Sequence, residues 1–390
     1  MASGLRARLN AMAAAAPRVE KKPPRAGGVA CYAHRVPLDP RLRDLDGDGL
    51  RRIGWQGGRF HLEKCLFLDT ETTGLSGGAG TVAFLVGIGY AEGDDFVVEQ
   101  YLMKDYADEA DMLDQLARRM ERFDAVCTFN GRNFDLPLLQ TRFTMCRMRE
   151  RWREMEQLDL LYPARRTWKK RIGSCRLSRV EELILNQPRE GDLPGSEAPR
   201  RYFEFLRTGE MELLSEVVEH NRQDIITLGT LLAHLCGLYA HPEREQNRAD
   251  LFSMGRSLEN QGELGAAREL YRIAAIPAPA GSISALAGNP VAAEAAWRMY
   301  LLARRNRDAE AMRQILEQMA LRRQLRDKIY VELSKLYEHR YKNYRRALRY
   351  ADLAARYVES GEMEALNRRR ERLRAKLNKE NGRKDEHGFF

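Results

Sequence analysis

The stretch Leu66-Phe67-Leu68-Asp69-Thr70-Glu71-Thr72-Thr73-Gly74-Leu75 constrains this chain more than any other. An apolar run ends in two carboxylates one residue apart, followed by threonines and a glycine. Such a run, bounded by turn residues, predicts a buried β-strand. Side chains alternate along a strand, so Asp69 and Glu71 share one side at its carboxyl end. Two like charges at the rim of a core are costly unless a positive charge stands between them. A hard divalent cation with oxygen ligands, Mg²⁺ or Mn²⁺, meets that need. For a bare D-x-E pair the plainer alternative is a helix cap beside a solvated glutamate.

The flanking segments predict alternating strands and helices. Three strands are expected between Gly58 and Asp105. They are Phe60 to Asp69, then Thr81 to Tyr90, apolar on both faces and hence central, then Phe96 to Met103 after a Gly93-Asp94-Asp95 turn. The Ser76-Gly77-Gly78-Ala79-Gly80 loop is either a close backbone approach to a ligand or a flexible turn. Glu109 to Phe123 reads as a helix, with Met112, Leu113, Leu116, Met120 and Phe123 on one face. A strand from Ala125 to Phe129 leads into Asn130-Gly131-Arg132-Asn133-Phe134-Asp135-Leu136-Pro137. There Asn-Gly breaks the strand, Pro137 suits a first helical turn, and Asp135 stands at the helix start. A strand near Gln157 to Leu160 ends at Asp159, which caps the next helix or supports the acidic site from behind. Arg165, Arg166, Lys169, Lys170 and Arg171 surround Trp168 in a basic run, either a solvated helix face or a contact to a nucleic-acid backbone. A loop from Gln187 to Pro199 precedes helices at Arg201 to Arg207 and about Met211 to Tyr239. On the last of these His220 and Asp224 lie one turn apart on one face.

Strand-D-x-E-T-T-G-L, then N-G-x-x-F-D-x-P, then Asp224 on a helix resemble, in order, the motifs of the DEDD exonucleases, which have a ribonuclease H-like fold. Those enzymes carry histidine five residues before the last aspartate, or tyrosine four before it. Here Glu219 stands at the first spacing and His220 at the second, so the chain departs from both patterns. His220-Asn221-Arg222-Gln223-Asp224-Ile225, Gly173-Ser174-Cys175-Arg176-Leu177-Ser178 and Leu206-Arg207-Thr208-Gly209 are similar to the YprB-type bacterial exonucleases, over roughly residues 30 to 235. The resemblance implies an α/β ribonuclease H-like fold, a mixed central sheet flanked by helices. It implies hydrolysis of phosphodiester bonds from the 3′ end, with two Mg²⁺ or Mn²⁺ ions held by Asp69, Glu71, Asp135 and Asp224. His220 would be the general base, or would orient the water or a carboxylate. Thr72, Asn130, Arg165, Arg166, Lys169 and Lys170 would touch nucleic acid. DNA, in repair, is the expected substrate; an RNA exonuclease with the same chemistry and a non-catalytic scaffold are the rivals.

Past residue 240 the chain reads as helical repeats. Gly255, Gly262, Ala267, Tyr271, Ala274 and Pro279 fall at the small-residue, aromatic and proline positions of a tetratricopeptide unit of about 34 residues. A looser copy runs from Tyr330 to Tyr357, and Pro277 to Pro290 reads as a small-residue linker. The expected organisation is a basic stretch without fixed structure at 1–28, the α/β domain at 29–240, an all-α tetratricopeptide-like domain at 241–375, and a polar tail at 376–390. The repeats would offer a surface to nucleic acid or to a protein such as a helicase or another repair factor. A net charge of +9 permits a polyanionic partner. The cysteines are scattered with no C-x-x-C pair, which argues against a zinc site or disulfide framework and for a reducing cytoplasm. No stretch is long and apolar enough for a membrane span. Asp44-Leu45-Asp46-Gly47-Asp48-Gly49 imitates the opening of a calcium loop, but Trp55 stands where the bidentate glutamate belongs. A polar turn is expected there instead.

Overall fold

Six strands form one mixed sheet among the residues the computed structural model describes, 28–74, 80–189, 191, 193–276 and 290–386. They are β1 (Val29–Pro37), β2 (Cys65–Thr72), β3 (Ala83–Glu92), β4 (Asp95–Met103), β5 (Ala125–Thr128) and β6 (Glu156–Asp159). The order across the sheet is β1-β4-β3-β2-β5-β6. β1 to β4, β4 to β3 and β3 to β2 are antiparallel, while β2 to β5 and β5 to β6 are parallel. The strand carrying the two carboxylates therefore lies at the switch from antiparallel to parallel pairing. The sheet and its helices match the ribonuclease H-like expectation.

Helices cover both faces: α1 (Gly47–Ile53), α2 (Glu109–Met120), α3 (Asp135–Met145), α4 (Leu161–Ile172), α5 (Ala198–Thr208) and α6 (Ser215–Ala240). Alternation along β2 divides the core. Cys65 and Phe67 join the apolar cluster under α6, with Ile225 and Leu228, whereas Leu66 and Leu68 join the opposite cluster under α2 and α3, with Met112, Leu113 and Leu139. β3 is buried on both faces up to Tyr90, as its unbroken apolar run requires.

Several boundaries differ from expectation for local reasons. β2 starts at Cys65 rather than Phe60, because Leu62–Lys64 forms a 3₁₀ turn. Edge strand β1 has no sequence expectation behind it; its burial lacks clean alternation. α2 ends at Met120, although Phe123 is still buried. The calcium-like segment is a helix start, with Asp46 accepting from the Gly49 amide at 2.7 Å as the cap of α1. The expectations for residues 1–27, for 75–79 in the glycine-rich loop and for 277–289 in the linker lie outside the described residues.

The remaining chain is helical: α7 (Arg248–Asn260), α8 (Leu264–Ala274), α9 (Pro290–Arg305), α10 (Ala309–Leu321), α11 (Arg326–His339), α12 (Tyr344–Ala354) and α13 (Ser360–Glu386). Consecutive helices pack on one another through this series. Small residues allow the closest approach: a Cβ on Gly255 of α7 would stand 2.8 Å from the Tyr271 ring of α8. The boundary expected at residue 375 falls inside α13, which runs on to Glu386. The helical series docks on the α/β part through α7 against α4. Arg52 reinforces that contact, donating to Glu263 at 2.7 Å and to the Tyr239 carbonyl at 2.8 Å. No helix among the described residues is long and apolar enough to cross a membrane.

Candidate active site

The alternation that splits the core also aims the carboxylates. Asp69 and Glu71 continue the Phe67 side of β2 and so face α6, while Thr70 continues the other side, toward α3. The Thr70 hydroxyl donates to Asp135 Oδ1 at the first turn of α3. Asn130 turns the chain out of β5 with a positive φ of 71°. Asp159 braces that turn, accepting from the backbone amides of Asn130 at 2.8 Å and Arg132 at 3.2 Å. It also accepts from the Leu161 amide at 3.0 Å. Asp159 thus ties the Asn130 turn to the first residue of α4, whose N-cap position is Leu160.

α6 supplies the opposite wall. Asn221 Nδ2 donates to Asp69 Oδ2 at 2.9 Å, and its Oδ1 accepts from Gln100 Nε2 at 2.9 Å. His220 Nε2 stands 3.9 Å from Glu71 Oε1 and 3.7 Å from Asp224 Oδ2. From the segment before α5, Arg189 Nη2 donates to Asp224 Oδ1 and, at 2.6 Å, to Glu181 Oε1. Arg189 Nη1 lies 3.3 Å from His220 Nδ1. Glu181 is buried and accepts also from the Thr227 hydroxyl. Beyond His220 a cavity of about 450 Å³ opens, lined by Arg189, Leu193, Glu216, Glu219 and Gln223 among others. Its two glutamates make it a poor seat for phosphate.

Electrostatics mark the cluster. Burial holds the Asp69 carboxyl well above the usual carboxylate range, and the charges of Asp224, Asp135 and Glu71 push it further, against the Asn221 hydrogen bond. Asp135 is pushed up to about 6, chiefly by burial, with the Thr70 hydrogen bond opposing. Glu181 is raised by burial in spite of Arg189 and Thr227. A buried carboxylate ringed by acidic neighbours, as Asp69 is, is the kind of donor a hard dication would relieve. In this respect Asp69, Glu71, Asp135 and Asp224 fit Mg²⁺ or Mn²⁺. Among the described residues no three acidic, histidine or cysteine side chains converge into a ready-made cage. Asp69, Asp135 and Asp224 are turned instead onto Asn221, Thr70 and Arg189.

The structure thus brings together Asp69, Glu71, Asp135, His220 and Asp224. Thr72 lies at the end of β2, its hydroxyl donating to the Gly74 carbonyl at 2.8 Å. The basic run is spread over α4. Arg165 and Lys169 are exposed, Arg166 donates to the Ile53 carbonyl at 2.9 Å, and Lys170 pairs with Glu294 of α9 at 3.0 Å. Trp168 is buried rather than presented to a ligand. Sequence reasoning missed Arg189, Glu181, Asn221 and Gln100. Asn221 sits inside the quoted H-N-R-x-D-I motif, so its position there was a usable signal.

Residues 66–236 match the family model described as RNase_H superfamily. The chain is 36% identical over 177 residues to "Uncharacterized protein YprB" of Bacillus subtilis (strain 168), a stretch that covers 45% of this chain and 43% of that relative. The chain therefore spans less than half the length of the curated relative it matches. Sheet order and the switch at β2 agree with this match, and residues 66–236 form a ribonuclease H-superfamily domain that is similar in sequence to that relative.

Proposed function

We propose that the protein is a metal-dependent 3′-to-5′ exonuclease acting on DNA, with a role in repair. Ribonuclease H-like nucleases as a class act on nucleic acid and use divalent metals. The observation that carries the reading here is the grouping of Glu71, Asp135 and Asp224 around Asp69, whose carboxyl is lifted by burial and then by the charges of those three neighbours. Two bound dications would supply an ionised water and charge stabilisation on the leaving 3′ oxygen. The chain's own residues do the holding and aiming. Asn221 orients Asp69, Thr70 orients Asp135, and Asp224 faces them from α6.

His220 has a narrower role than its type suggests. A guanidinium only donates, so Arg189 makes His220 Nδ1 the acceptor and leaves the ring proton on Nε2, toward Glu71 and Asp224. That arrangement supports orienting a water or a carboxylate over removing a proton. The helical series α7 to α13 would serve as the surface for a repair partner or for nucleic acid.

The test is digestion of 5′-labelled single-stranded DNA, matched RNA and duplex DNA in Mg²⁺, Mn²⁺ or EDTA, with Asp69→Ala alongside. A metal-dependent ladder shortening from the 3′ end, absent in the variant, is the expected result. RNA cut in preference to DNA would move the substrate and keep the chemistry. No cleavage of any substrate in either metal would overturn the enzyme reading in favour of a scaffold.

A further inference from the structure

A guanidinium inside a carboxylate cluster calls for a physical account. The Arg189 side chain is 11% exposed and that of Glu181 is 1% exposed. The segment that delivers Arg189 begins with the π-helical turn Glu181–Leu185 and a left-handed Asn186, φ 56°. Such irregular backbone recurs where a side chain must be aimed. Its contacts close a loop onto α6. Thr227 holds Glu181, Glu181 holds Arg189, and Arg189 returns to Asp224 and His220, about one turn and two turns before Thr227 on the same helix. Asp224 Oδ1 is thereby occupied, and Oδ2 is left 3.7 Å from His220 Nε2.

We propose that Arg189 is a positioning residue for the metal-facing side of α6, fixing the Asp224 carboxylate and the His220 ring in one orientation. This rests on the nuclease reading above. Because Glu181 is buried, releasing Arg189 from it would leave a carboxylate with the Thr227 hydroxyl but no opposite charge, so the guanidinium stays where it is. Its planar fork reaches Glu181, Asp224 and His220 at once, which a lysine ammonium of the same charge cannot do. Arg189→Lys therefore separates geometry from charge. Thr227→Val removes the anchor of Glu181 without touching the acidic cluster.

The experiment measures Mn²⁺ binding to the full chain by calorimetry for the parent, Arg189→Lys and Thr227→Val, with 3′ digestion of single-stranded DNA in parallel. Arg189→Lys is expected to weaken Mn²⁺ binding and lower kcat, each by about 10–100-fold, while KM for DNA stays within about twofold. Thr227→Val should move both in the same direction by less. Unchanged or tighter Mn²⁺ binding in Arg189→Lys overturns the inference. So does a raised KM with kcat retained, which would make Arg189 a phosphate contact. Absence of Mn²⁺ binding in the parent overturns the nuclease reading itself. A parent that binds Mn²⁺ but cuts nothing leaves Arg189 to be judged by calorimetry, so the two failures are told apart.

Discussion

Gly87 is the cross-strand partner of Asp69, and the space its missing side chain leaves is filled by Asn221. A Cβ at position 87 would stand 2.1 Å from Asn221 Oδ1. The Asn221 side chain is fully buried and its amide is engaged at both ends, by Gln100 and by Asp69. It has nowhere to turn. Gly87→Ala is expected to push α6 off the sheet at a cost of about 1–3 kcal/mol, as overpacked cores do. It should also abolish cleavage, because Asp224 rides on the same helix. Urea denaturation and digestion of one preparation read both effects. A variant as stable and active as the parent would sink this packing account.

Charge at the cluster has its own signature. Asp69 is held above the carboxylate range by burial and by three acidic neighbours, so the metal-free site stores repulsion that the fold must bear. Asp69→Asn keeps an oxygen for the Asn221 amide and removes the charge. In EDTA the variant should be more stable than the parent by about 0.5–2 kcal/mol, the usual exchange of function for stability. Added Mg²⁺ should raise the parent's Tm and leave that of Asp69→Asn in place. Scanning calorimetry of both proteins with and without Mg²⁺ checks this, and a variant stabilised by Mg²⁺ as much as the parent would remove Asp69 from the metal site.

How much of this was legible in the sequence follows from the range of each signal. The pairing of Asp69 with Glu71 and of His220 with Asp224 depends on local periods, and both appear as read. That Asp135 belongs with them could be read only from the order of the motifs. Gln100 with Asn221, separated by 121 residues, and Arg189 with Asp224, separated by 35, are tertiary contacts that no period encodes. Arg189 was hidden in a proline- and glycine-bearing segment that reads as a loop. The basic run shows the converse limit. Composition reveals the charge of Lys170 and Arg171 but not that each meets a carboxylate of the helical series, Glu294 and Asp250. β1 escaped because an edge strand need not alternate.

Two glycines in helices should respond to alanine with opposite signs. Alanine gains up to about 1 kcal/mol over glycine within a helix. At Gly237 of α6 the position is exposed and a Cβ would meet open space, so Gly237→Ala should stabilise by about 0.5–1 kcal/mol. At Gly255 the Cβ would stand 2.8 Å from Tyr271, whose ring is fully buried and whose hydroxyl donates to Glu259 at 2.6 Å. Overpacking of about 1–3 kcal/mol then exceeds the helical gain, and Gly255→Ala should destabilise. Paired Tm measurements decide it. Equal shifts for the two variants would show that the α7–α8 contact is looser than described.

The joint between α4 and α7 should make stability depend on pH. Asp250 is fully buried beside Arg171 Nε at 3.2 Å, and burial pushes its carboxyl up to about 7 in spite of that partner. The unfolded chain gives up this proton near pH 4, at the ordinary aspartate value. Between about pH 4 and 7 the native state therefore binds more protons than the unfolded state, so this group's contribution falls as pH rises and levels off above about 7. Each unit of displacement corresponds to about 1.4 kcal/mol, so a decline of a few kcal/mol is expected across the window. Asp250→Asn cannot ionise and should flatten the curve, gaining most over the parent at pH 8 and little at pH 4. Urea denaturation at steps from pH 4 to 8 tests it. A parent curve that rises through this window while the Asp250→Asn curve runs parallel to it would show that Asp250 is ionised in the folded protein and that the Arg171 pair outweighs its burial.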